Sequence, residues 1–170
     1  MNSSHLEKVA ESLIVHELMR SGLFVAKPLS DVLGADLIAF SDFKDGMRFC
    51  RIQCKGRSFV QARSHIEIPA SYVDSPFMVV LYVALAEGAG QLFCFFSSDI
   101  RQWRRTPKGH FVLRFTQKTV EGPLQFYRFS EKQMSILKSL ISNASDTGVF
   151  HEAVYGTGHG VLKFIGGGET

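Results

Sequence analysis

The sequence predicts an α/β fold from three observations: a helical period opens the chain, short runs rich in Phe and Val fill its middle, and a second helical period follows. With 170 residues, 45% apolar and 21% charged, the chain can bury a core without disulfides or metals as staples. That composition excludes fibrous, collagenous and wholly disordered proteins. The longest unbroken apolar run, residues 77–86, is ten residues. A membrane-spanning helix needs roughly 20, so a soluble protein with no membrane partner is expected.

The first helix is read from Leu6, Val9, Ala10, Leu13, Ile14 and Leu18, with Ser4 and Glu7 in a capping-box pattern and Gly22 as its stop. Its apolar face is wide, which predicts a largely buried helix. After a connection containing Pro28, residues 34–40 form a short apolar strand with Asp36 near its start, and residues 42–46 read as a turn. In residues 49–55, Arg51, Gln53 and Lys55 share one face while Cys50, Ile52 and Cys54 share the other, which is read as interior. Residues 77–86 and 91–97 are two more strands around a turn at 88–90, the first apolar enough to be central. Asp99 is expected to cap a short helix reaching Trp103. Residues 110–115 and 124–129 are further strand candidates, and Ser130 with Gln133 opens a helix to about Ile141. Residues 1–155 are read as one domain, and 156–170, with six Gly, as a glycine-rich tail.

Cys50, Cys54 and Cys94 are odd in number and lack CxxC spacing, and residues 1–8 are too polar for a signal peptide. Free thiols in a reducing cytoplasm follow, and zinc is not expected where no ligand spacing stands. The net charge of +3 does not by itself announce a nucleic-acid binder. Its distribution says more. Residues 47–66 hold five basic residues and no acid, and residues 100–120 hold six and no acid. Runs of this kind make a phosphate-contacting surface or a solvated face. Arg57, Arg63, Arg101, Arg104, Arg105 and Lys108 are the expected contacts to DNA backbone. His65 and His110 read as surface residues.

Glu11 on the first helix, Asp36 at a strand start, and Gln53 and Lys55 two apart on the next strand form the candidate site. An acid beside an acid or amide and a lysine on one strand face gathers oxygen ligands and an ammonium around one point. A hard divalent cation and a phosphate suit such a site. Asp36 and Lys55 could equally form an ordinary cross-strand ion pair.

Glu11, the 34–39 segment Gly-Ala-Asp-Leu-Ile-Ala and the Ile52-Gln53-Cys54-Lys55 strand resemble the PD-(D/E)XK nuclease superfamily over about the first third of the chain. Ala10-Glu11 and Gly22 are similar in order to its Holliday-junction-resolvase-like branch. The resemblance implies a restriction-endonuclease-like core, a mixed β-sheet flanked by α-helices. It also implies magnesium-dependent hydrolysis of DNA phosphodiesters, manganese serving as a substitute, with Glu11, Asp36, Gln53 and Lys55 as catalytic residues and Glu11, Asp36 and Gln53 as metal ligands. Glu17 is the other candidate for the helix acid; the distance from Glu11 to Gly22 fits the family pattern better. The chain departs from that pattern at two points. No Pro precedes Asp36, and Gln53 stands where most members have Glu or Asp, which leaves one fewer anion for the metal. The Gln-x-Lys strand resembles intron-encoded homing endonucleases, making that branch the first reading, with resolvase-type and restriction-type nucleases behind it. A catalytically weak DNA-binding module that keeps the fold, and a protein whose basic runs serve a protein partner, are the other readings. Cutting both strands of a duplex needs two sites, so a homodimer or homotetramer is expected.

Overall fold

An 18-residue helix, α1 (Ser3–Arg20), buries Leu6, Ala10, Ile14 and Leu18. These lie four apart and form one stripe along the helix. Leu13 is 43% and Met19 64% exposed, so the buried face is narrower than the periodicity predicts, and Ser4 lies inside the helix. Gly22 ends it at φ 85°, a conformation costly for other residues. Its N–H donates to Met19 O at 3.0 Å, and that of Leu23 to Leu18 O at 3.1 Å, which together form a Schellman C-cap.

The computed structural model describes residues 3–30, 34–44, 46–59, 63–74, 76–85 and 90–144. The glycine-rich tail, the boundary at 155 and the tip of the turn expected at 88–90 lie outside these residues. After α1 come β1 (Phe24–Ala26), β2 (Leu37–Phe43), β3 (Gly46–Ser58), β4 (Ser64–Pro69), a 3₁₀ turn (Ala70–Asp74), β5 (Phe77–Ala84) and β6 (Gln91–Phe96). The remainder is α2 (Ser97–Ile100), β7 (Arg104–Arg105), β8 (His110–Phe115), α3 (Gln117–Glu121), a second 3₁₀ turn (Pro123–Tyr127) and α4 (Glu131–Ser142).

Five strands form a mixed sheet in the order β1-β2-β3-β5-β6. β3 and β5 run parallel with Gln53 opposite Val79, whereas the other neighbours are antiparallel. β5 buries both faces. Met78 and Val80 join a core with Ala10, Ile14 and Leu18 of α1 and Leu137 and Ile141 of α4. Phe77, Val79, Leu81 and Val83 join a second core with Ile66, Ile68, Ile100, Phe115 and Val120. The fold is thus the mixed sheet with helices that the sequence predicts. Its two long helices cover one face, and a second antiparallel sheet, β4-β8-β7, covers the other with the short helices. Cys50, Cys54 and Cys94 are free thiols buried in the first core.

Three local expectations are corrected. Residues 124–127 of the strand expected at 124–129 lie in the 3₁₀ turn Pro123–Tyr127, because Pro123 at its start presets a helical φ. Arg128 keeps an isolated bridge to Phe93. Asp99 lies within α2, not at its cap position, and its carboxylate accepts the Phe96 N–H at 2.9 Å. Ser130 is the N-cap of α4 but makes no side-chain capping bond.

Candidate active site

Strand alternation puts Gln53 and Lys55 of β3 on one face. Gln53 is 7% exposed, and its amide oxygen has no hydrogen-bond partner among the described residues. Lys55 is half-buried and has no ion pair or hydrogen bond among them, so the ordinary pair with Asp36 is not formed. Asp36 immediately precedes β2. Its N–H donates to Ile52 O at 2.9 Å, and with Leu37 paired to Ile52 it falls opposite Gln53. Its Oδ2 accepts the Cys54 N–H at 2.6 Å, taking the place of a strand carbonyl where pairing with β2 has ended.

α1 supplies Glu11 from the helical side of the sheet. Gly56 permits this approach, since a Cβ there would lie 2.2 Å from the Leu6 carbonyl carbon and 2.4 Å from the Glu7 nitrogen. The Glu11 carboxylate accepts a hydrogen bond from the Lys27 ammonium. That bond is the main cause of a raised Lys27 pKa; burial opposes it, and the charges of Glu11 and Asp36 add to it. Burial pushes the Cys54 thiol up, and Asp36 and then Glu11 push it further. Glu11, Lys27, Asp36 and Cys54 therefore share one electrostatic neighbourhood, in which Cys54 stays a neutral thiol. Glu17 is placed differently. It pairs with Arg20 at 2.7 Å and lines a groove with Leu13, Leu92 and Phe129.

The Asp36 loop is seated from below. Gly34 has φ 69°, and a Cβ there would lie 2.0 Å from Cε2 of the Tyr72 ring. Arg51, 7% exposed, donates from Nη2 to Tyr72 O at 2.9 Å and lies over the Phe77 ring, 5.5 Å from its centroid. Gly34→Ala combines a strained φ with this overlap. It should cost about 1–3 kcal/mol and displace Asp36, a result read as a lower melting temperature; a parent-like melting temperature would show the contact to be dispensable.

The expected DNA contacts are not alike. Arg57 is engaged within the protein, donating from Nε to His65 O at 3.0 Å and from Nη1 to Gly56 O at 2.7 Å, with Glu7 at 3.4 Å. Arg101 donates to Val73 O at 2.7 Å. Arg63, Arg104, Arg105 and Lys108 are exposed, and Arg105 lies over the Phe111 ring. Lys27 was not legible as a site residue, because only the course of the chain after β1 brings it to Glu11.

Among the described residues no three His, Cys, Asp or Glu side chains gather as a metal-ligand group. The available donors are two carboxylates and one amide, all oxygen, and the buried Gln53 oxygen without a partner fits a hard cation better than it fits an apolar core. Comparison with solved structures finds the bacterial homing endonuclease I-Ssp6803I, at 21% identity and a TM-score of 0.49, covering 78% of this chain and 90% of that one. No protein-family model and no curated protein matches the chain.

Proposed function

We propose that this protein is a magnesium-dependent endonuclease that hydrolyses phosphodiester bonds of double-stranded DNA, of the homing-endonuclease kind. The observation that carries the reading is the buried, unpartnered Gln53 oxygen opposite Asp36, with an uncommitted Lys55 two residues along the same strand face. A buried amide oxygen left unpaired costs about 1–3 kcal/mol, which a ligand at that point would offset. Asp36, Gln53 and Glu11 would hold the cation, and manganese would satisfy the same oxygen donors. Bound there, the ion supplies Lewis-acid polarisation of a phosphoryl oxygen. Lys55 donates hydrogen bonds to the phosphate and orients the attacking water, while the Cys54 N–H fixes the Asp36 carboxylate. Lys27 holds Glu11 in place before the ion arrives. The homing assignment rests on the resemblance of the Gln-x-Lys strand, and a symmetric dimer or tetramer would supply the second site needed to cut the opposite strand.

Purified protein should nick supercoiled plasmid in Mg²⁺ or Mn²⁺ and stop in EDTA. Retention of DNA with no cleavage in any divalent metal would instead favour a binding module that has kept the fold.

A further inference from the structure

At the end of the second sheet, Arg63, Ser64 and His65 meet Arg114, Phe115, Thr116 and Thr119 around an open pocket of about 530 Å³. Its lining contains no acid. His65 and Arg114 are direct cross-strand neighbours, and both side chains are exposed. Two basic groups set opposite one another gain nothing from each other and repel once the imidazole is charged. Nearby acids are not used to relieve this: the Glu67 carboxylate faces His110 at 3.5 Å, and the side chains of Arg63, His65 and Arg114 make no ion pair or hydrogen bond among the described residues. Arg57, Arg51 and Arg101, by contrast, are each tied to a backbone carbonyl. The Thr116 and Thr119 hydroxyls are engaged with each other and with the backbone N–H groups of the α3 cap, whereas two guanidiniums, an imidazole and the Ser64 hydroxyl lining the same concavity suit a phosphate group, which accepts hydrogen bonds from these donors.

The pocket adjoins the strand that carries the candidate site. Lys55 and Arg57 are two residues apart on one face of β3, about 7 Å along the strand, and Arg57 Nε is bonded to His65 O at 3.0 Å. We propose that Arg63, His65 and Arg114, with the hydroxyl of Ser64, bind a backbone phosphate of the DNA duplex outside the scissile position, so that the duplex runs from Lys55 across Arg57 to this pocket. The proposal rests on DNA being the substrate, and its test leaves the cleavage step out.

Binding of a fluorescent duplex is measured by anisotropy in EDTA across a range of salt for the parent protein, Arg63→Gln/Arg114→Gln and Arg63→Lys/Arg114→Lys, with thermal melts as the control for folding. The Gln pair should weaken binding about ten-fold for every duplex sequence and flatten the slope of log affinity against log salt by about one unit, the loss of one neutralised phosphate. The Lys pair should retain most of the slope. Parent-like affinity and slope in the Gln pair would overturn the pocket while leaving the nuclease reading intact. A parent protein with no affinity for duplex at low salt would overturn both, and parent protein whose pocket takes only inorganic phosphate, with no change in DNA binding on substitution, would overturn the assignment to DNA.

Discussion

Asp36→Asn and Lys55→Ala should each lower DNA cleavage about 100-fold or more under saturating Mg²⁺, the scale seen when one positioned electrostatic group is removed from an active site. Asp36 is the charged oxygen donor opposite Gln53, and its carboxylate is already oriented by the Cys54 N–H at 2.6 Å. The amide of Asn can keep an oxygen there but removes the charge. Lys55 makes no hydrogen bond or ion pair among the described residues, so its loss breaks neither, and folding and DNA binding should persist. Gln53→Glu is the informative companion. It adds an anion at a buried position and should tighten metal affinity, while in the absence of metal the same carboxylate lacks a partner and should lower the melting temperature. Wild-type cleavage by both Asp36→Asn and Lys55→Ala would remove these residues from catalysis.

Gly56→Ala should be the most damaging Gly→Ala change among the described residues. The added carbon would sit 2.2–2.4 Å from backbone and Cβ atoms of Leu6 and Glu7, and backbone cannot rotate aside as a side chain can. The helix must therefore move off the sheet, disturbing Leu6, Ala10, Ile14 and Leu18, all at 0–1% exposure, and carrying Glu11 away from Asp36. A loss of about 3 kcal/mol lies at the upper end of overpacking costs and corresponds to a fall of roughly 6–12 °C in melting temperature for a chain of this size. A calorimetric or circular-dichroism melt checks it. A parent-like melting temperature would mean that α1 does not dock as closely on β3 as the structure has it.

The parts of this architecture that were legible in the sequence are those governed by local period. Alternation in β3 separates Gln53 and Lys55 from the cysteines, and the apolar run of β5 marks a strand buried on both faces, as Met78 and Val79 in different cores confirm. Residues whose roles depend on distant segments were not legible. Gly56 looks like any glycine until α1 crosses it, and Lys27 acquires its partner only when β1 returns beside the helix. β1 and β7, with three and two residues, are too short to alternate. β4 does alternate, with Ile66 and Ile68 buried and His65 and Glu67 exposed, and it was hidden within a stretch read for its charge. Arg57 shows the limit of reading charge alone: a basic residue in an acid-free run is held by three protein groups. The 123–127 segment has apolar and aromatic residues that suit a strand, and Pro123 decides the local conformation instead.

The proposed metal site has the oxygens of Asp36, Gln53 and Glu11 hold one divalent cation. Titration of the metal-free protein with Mn²⁺, followed by the electron paramagnetic resonance of the free ion, tests it without reference to cleavage. One ion should bind per chain, with binding lost in Asp36→Asn and tightened in Gln53→Glu. An absence of Mn²⁺ binding to the parent protein, or equal binding by the parent and Asp36→Asn, would contradict it.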